Sequence, residues 1–130
     1  MKKLLPFIMI WSVLFLFLPN CEATDVWVEH WNDEDIDIYV MDDTIISGSS
    51  TNGQYFKVST KEVKNGQLQK VINWSFSKYK DSMWRYETST MDGRHTTVVI
   101  PKSTLFEYCM KILGWHYQTV TDSRGGSWYY

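Results

Sequence analysis

Residues 70–79 read KVINWSFSKY, with Ile72, Trp74 and Phe76 on the even positions and Asn73, Ser75 and Ser77 on the odd ones. Successive side chains of a strand point to opposite faces, so this spacing predicts a strand with an aromatic, core-facing side and a small, polar side. Just before it stands Lys64-Asn65-Gly66-Gln67. Asn-Gly is the strongest two-residue hairpin signal, because both central residues must accept positive φ. The strand before it therefore folds back against the strand after it.

Working outward, the same period recurs on both sides. Residues 55–63 read as the preceding strand, and the polar stretch 47–53 (SGSSTNG) as a flexible connection inside the domain. Residues 36–41 form an earlier strand with Ile36, Ile38 and Val40 inward; 44–46 prolong it after a break at Asp42-Asp43. Asn32-Asp33-Glu34-Asp35 is a turn behind a first strand, 25–31, in which Trp27, Glu29 and Trp31 share one face and Val26, Val28 and His30 the other. Trp27 and Trp31 are then either a buried core pair or an exposed anchor for a partner. On the far side, residues 83–88 place Trp84 and Tyr86 opposite Arg85 and Glu87, and Asp92-Gly93 turns the chain into a sixth strand at 95–100. Turn signals at this spacing describe an antiparallel meander.

The period changes after Pro101. Ser103 or Thr104 can cap a helix, and Glu107 stands three residues after Thr104 as a capping box requires. Leu105, Cys109, Ile112 and Leu113 mark one helical face, and Gly114 is the stop. So short a helix is marginal alone and must lie on the apolar side of the sheet. Residues 127–130 are expected to add a short edge strand. The fold class expected is α+β: an antiparallel sheet of about six strands with one C-terminal helix packed on a face.

The 130 residues allow one domain. Lys2 and Lys3, an apolar run over residues 4–18 and a small-x-Ala site at Cys21-Glu22-Ala23 predict a secretory signal peptide over 1–23, cleaved between Ala23 and Thr24. The domain is then 24–130, and its place is extracytoplasmic: periplasm, cell surface or medium. Leu18-Pro19-Asn20-Cys21 faintly matches a lipobox that would lipidate Cys21, the weaker alternative because Asn before the Cys is unusual there. With Cys21 removed, Cys109 is the only thiol, so no intramolecular disulfide forms and packing alone must hold the fold. Aromatics make up 16% of the residues, which supplies large buried area to a small core.

Charge is segregated. Residues 25–43 carry Asp25, Glu29, Asp33, Glu34, Asp35, Asp37, Asp42 and Asp43 with no Lys or Arg, while residues 44–102 are predominantly basic. Either opposite charges meet on adjacent strands or one face is built for docking. Lys57, Lys61, Lys64 and Lys70 are the candidate basic face, and Trp27 and Trp31 the candidate aromatic anchors. The formal net charge is −2, without the positive excess of a nucleic-acid surface.

No chemistry-bearing pattern emerges. Cys109 lies mid-helix on an apolar face, the place of a structural thiol. His30, His95 and His116 have no metal-ligand spacing. The acidic turn 32–37 lacks the Gly and the distal Glu of an EF-hand loop. Asn73-Trp74-Ser75 matches a glycosylation sequon but lies within a strand. Phosphate-loop, dinucleotide and nucleophile-elbow motifs do not occur. The expectation is no enzyme, no cofactor and no metal.

Residues 37–45, DIYVMDDTI, resemble the surface-adhesin protein E family of bacterial secreted and surface proteins. Members open with a Trp-containing strand, then a Tyr-Val/Ile-Asp stretch ending in Ser/Thr-Ile, then a hydrophobic strand. Trp27, Tyr39, Asp42, Thr44 and Ile45 stand at the matching places, and the likeness runs over about residues 26–113. The resemblance implies an antiparallel sheet with a C-terminal helix, surface exposure and, for the best-known members, adhesion to host matrix proteins. Members can tie helix to sheet by a disulfide, which Cys109 alone cannot do. The function expected is a secreted or surface-exposed binding module, an adhesin for host matrix proteins. The alternative is a non-catalytic envelope structural or assembly protein. In either case the partner is a protein, a homodimer is one form it can take, and the mature chain has no transmembrane segment.

Overall fold

A computed structural model describes residues 25–80, 82–91 and 97–130. The signal-peptide and lipobox expectations, the Ala23/Thr24 cleavage site, the Asp92-Gly93 turn and His95 lie outside the described residues. The Asn65-Gly66 turn forms as its sequence dictates, with φ of 52° and 75° at the two central residues. It joins β3 (Gly53–Lys64) to β4 (Gln67–Tyr79), which pair antiparallel from Gly53↔Tyr79 to Lys64↔Gln67. β1 (Asp25–Trp31) and β2 (Ile36–Ser50) precede them, and β5 (Arg85–Thr88) and β6 (Thr97–Val98) follow. The sheet order is β1-β2-β3-β4-β5-β6, a meander in which every neighbour in space is a neighbour in sequence.

The stretch 47–53 is not a loose connection. β2 runs on through Ser50, and the turn shrinks to Thr51-Asn52, where the Asn52 N–H donates to Ser50 Oγ at 3.2 Å. Gly48 pairs with Tyr55, whose ring lies over it; a Cβ on Gly48 would come within 2.5 Å of that ring. Polar composition suggested a loop, but small side chains on a solvent-facing strand satisfy the same composition.

The break at Asp42-Asp43 is real. Pairing with β3 slips between Met41 and Ile46, and Thr44 repairs it: its Oγ1 accepts the Ser59 N–H at 2.8 Å and donates to the Met41 carbonyl at 2.5 Å.

Ile38, Val40, Phe56, Val58, Ile72 and Phe76 are buried on one face of the sheet. On it lies α1 (Thr104–Leu113). Ser103 is the N-cap, its Oγ accepting the Phe106 N–H at 3.2 Å, and Gly114 ends the helix with φ 69°. The expected capping box does not form, because with Ser103 as cap Glu107 falls one place too late; it accepts from the Tyr117 hydroxyl at 2.9 Å instead. The buried face is also rotated from expectation. Leu105, Phe106, Cys109 and Met110 are buried while Ile112 is 53% exposed, because Phe106 and Met110 fill the space over the aromatic sheet.

The helix is not C-terminal to the fold. A hairpin of β7 (Thr119–Thr121) and β8 (Ser127–Tyr129) follows it as a separate two-stranded sheet, in place of the expected edge strand. Tyr129 is fully buried, stacked 4.4 Å from Phe106, with its hydroxyl accepting the Ser103 N–H at 2.8 Å. Trp84 ties the two sheets together: its N–H donates to the Tyr129 carbonyl and its own carbonyl accepts from Val99, both at 3.0 Å. Among the described residues no helix is long and apolar enough to cross a membrane.

Candidate functional site: the open face of the sheet

The helix covers one face of the sheet, so the odd positions of the central strands face away from it. Cross-strand register assembles those positions into rows. One row is Trp27–Tyr39–Lys61–Val71, the next Asp25–Met41–Ser59–Asn73. Beyond the break in β2 come Ile46–Lys57–Ser75–Glu87 and Gly48–Tyr55–Ser77–Arg85. Most of the large apolar side chains that remain exposed lie on this side: Trp27, Ile46, Tyr55, Leu68, Val71 and Tyr79.

Trp27 and Trp31 do not share a face. A bulge between Trp27 and Glu29 inserts one residue, Val28, against the β2 register. A single extra residue inverts the alternation, so Trp27 pairs with outward Tyr39 and Trp31 with inward Ile36. Trp27 is 53% exposed, and its indole is held in place: Nε1 donates to Asp37 Oδ1 at 2.9 Å. His30 Nδ1 shares that oxygen at 2.8 Å, and its Nε2 lies 3.3 Å from Asp35. The Trp27 hydrogen bond, followed by that of His30, holds the Asp37 carboxyl below the usual carboxylate range.

The four candidate lysines do not form one surface. Lys57 and Lys61 lie on the open face, Lys64 flanks the β3–β4 turn, and Lys70 is on the helix side. Lys70 stands opposite Glu62, a carboxylate only 3% exposed, with Nζ 3.7 Å from Oε2. Lys61 reaches across β2 to Asp25 at 2.7 Å. The acidic and basic stretches of the chain meet in the Lys61–Asp25 pair, the Lys70–Glu62 pair lies within the basic stretch, and Lys57 makes no ion pair among the described residues.

No family model matches the chain, and no curated protein or solved structure matches it either.

Two adjoining depressions, of about 560 and 480 Å³, are pressed into the open face and share Lys57, Ser75 and Glu87. Tyr55, Ser77 and Tyr79 line the first; Ile46, Ser59 and Asn73 line the second. Ser59 Oγ donates to Asn73 Oδ1 at 2.7 Å, which fixes the amide of the sequon residue. A larger hollow of about 760 Å³ lies between the end of β4 and the β7–β8 hairpin, and among the described residues its lining side chains are aromatic, aliphatic or neutral polar. Sequence reasoning noticed the small polar side of β4 without the partners beside it. The alternation of Tyr55, Lys57 and Ser59 on β3 was the signal that would have completed it.

Cys109 is fully buried, and burial pushes its thiol up to about 12, so it is not a nucleophile at neutral pH. Among the described residues no group of three or more His, Cys, Asp or Glu side chains is arranged to hold a metal ion.

Proposed function

We propose that the protein is a non-catalytic binding module displayed outside the cytoplasm, an adhesin for host extracellular matrix proteins, and that the open sheet face is its contact surface. The observation that carries this proposal is the gathering of exposed Trp27, Ile46, Tyr55, Leu68, Val71 and Tyr79 on the face the helix leaves uncovered. Large apolar side chains left exposed on one face and interspersed with polar groups are a composition that fits a protein contact. A half-exposed Trp already locked by a hydrogen bond loses little side-chain entropy on binding, as a hot-spot residue should. The likeness of residues 37–45 to the surface-adhesin family supports the same reading.

The test is binding of the purified protein to laminin, vitronectin and fibronectin at physiological salt. Saturable binding that falls at least tenfold in the Trp27→Ala, Tyr79→Ala double variant and is unchanged in the helix-side Ile112→Ser variant is the expected result. An absence of binding to all three would sink the matrix-adhesin proposal.

A further inference from the structure

We infer that the paired depressions around Lys57 form a binding site for an oligosaccharide that carries a carboxylate. This rests on the open face being the contact surface, and it names the chemistry of one part of that face.

The paired ladder excludes one common way of holding a peptide. β3 and β4 are paired without a break from Gly53 to Glu62, so their backbone N–H and C=O groups are spent on the ladder. A peptide cannot add itself as a strand there. What the floor offers instead is a mosaic of short hydroxyl and amide side chains, Ser59, Asn73 and Ser75, with Glu87 as an acceptor beyond them. These groups match a ligand that brings many hydroxyls of its own, each both donor and acceptor.

Tyr55 supplies the second element. Its ring lies over Gly48, where any Cβ would collide with it, so the absence of a side chain at that position is what gives the ring its seat. The ring is 47% exposed and rests beside the first depression. The negative face of an aromatic ring attracts the polarised C–H groups that one side of a sugar ring presents. Aromatic platform and polar floor together match the two kinds of surface that a pyranose has.

Lys57 supplies the positive charge common to both depressions, with Lys78 a second at the edge of the first and Glu87 the carboxylate across Ser75. Lys61 and Lys70 are paired with Asp25 and Glu62, whereas Lys57 has no ion pair among the described residues and stands where the depressions meet. An exposed ammonium in that position complements one carboxylate on the ligand. The site extends along β3 from Gly53 to Ser59, about 20 Å at the rise of a strand. That length suits several linked rings better than one.

The experiment is calorimetric titration of the purified protein with a glucuronate-containing hexasaccharide. The same hexasaccharide with its carboxylates reduced to alcohols, a neutral hexasaccharide and a hexaglutamate peptide are titrated alongside. The expected result is saturable binding of the uronate saccharide only, weakened at least tenfold by Lys57→Met and by Tyr55→Ala, with circular dichroism of both variants unchanged. Lys57→Met keeps the aliphatic stem on an exposed position, so it remains informative if Tyr55→Ala unfolds. Equal binding of the reduced or neutral saccharide would overturn the role of the carboxylate. Binding of the peptide in preference, or of no saccharide, would overturn the site. Matrix-protein binding that survives Lys57→Met and enzymatic removal of the matrix glycans, with no saccharide bound in the titrations, would leave the adhesin proposal standing while this one falls. Saccharide binding without matrix-protein binding would do the reverse.

Discussion

Phe106 is the ring on which the helix, the main sheet and the C-terminal hairpin meet, and replacing it by Ala tests the packing directly. It has no exposed surface. Its ring centroid lies 5.8 Å from Phe76, 5.4 Å from Trp84, 5.7 Å from Tyr117 and 4.4 Å from Tyr129. Truncating a buried Phe to Ala costs about 3–5 kcal/mol, through lost transfer energy and the cavity left behind. Aromatic pairs add about 0.5–1.5 kcal/mol each beyond area, which places this site in the upper half, at about 4 kcal/mol. Phe106→Leu keeps most of the volume and should cost about 1.5 kcal/mol. With a urea m-value of about 1.5 kcal/mol/M, the Ala variant should lose about 2.5 M in unfolding midpoint and the Leu variant about 1 M. Because Phe106 stacks on Tyr129, the Ala variant should also lose hydrogen-exchange protection at the Trp84 amide, which donates to the Tyr129 carbonyl. An Ala variant that costs under about 1.5 kcal/mol at unchanged m, with Trp84 still protected, would refute the view that this ring joins the two sheets.

Gly53→Ala would drive a Cβ into the Lys78 carbonyl oxygen, so it should destabilise by about 2–3 kcal/mol in the same urea assay. Thr44→Val removes the acceptor of the Ser59 N–H and should cost about 1–2 kcal/mol, whereas Thr44→Ser should cost much less. The Cys109 thiol, ordinarily at 9.0, is raised to about 12, and the Tyr129 hydroxyl, ordinarily at 10.0, is raised to about 12, both chiefly by burial. The unfolded chain therefore gives up these protons first as pH rises, and the stability they lend below pH 9 is lost between pH 9 and 12. The thermal midpoint should fall across that window, and Cys109→Val should remove the earlier part of the fall. At neutral pH, iodoacetamide should modify Cys109 only when denaturant is present.

The central hairpin was legible because its information is local. Asn65-Gly66 demands positive φ at two adjacent residues, and the alternation from Ile72 to Ser77 assigns each face without reference to anything distant. Trp27 and Trp31 were not legible, since the one-residue bulge at Val28 inverts the pattern and leaves no trace in a period-2 count. The helix was found, but its buried face was set by the aromatic sheet beneath it: helical spacing alone put Ile112 on that face and left Phe106 out. The pairing of Lys70 with Glu62, and the absence of an ion pair at Lys57 among the described residues, depend on which face each strand turns inward. The polar site had half its signal in Asn73, Ser75 and Ser77; the other half lay on β3 and became a site only through register.

The meander has a consequence for the order in which the chain folds. Every strand of the large sheet pairs with its neighbour in sequence, so each closure spans a short loop and the sheet can assemble quickly. Completing the hydrophobic face requires the end of the described chain. Phe106 cannot be fully covered until Tyr129 arrives, and Trp84 waits for the same residue to accept its N–H. A chain with the sheet formed but the last hairpin undocked would leave Phe106 and Trp84 short of their final cover, and such a species is prone to stick to its own kind. For this protein the hazard during biogenesis lies in the delay before the last hairpin docks, so a factor that shields the aromatic face over that interval would raise yield without touching the native state.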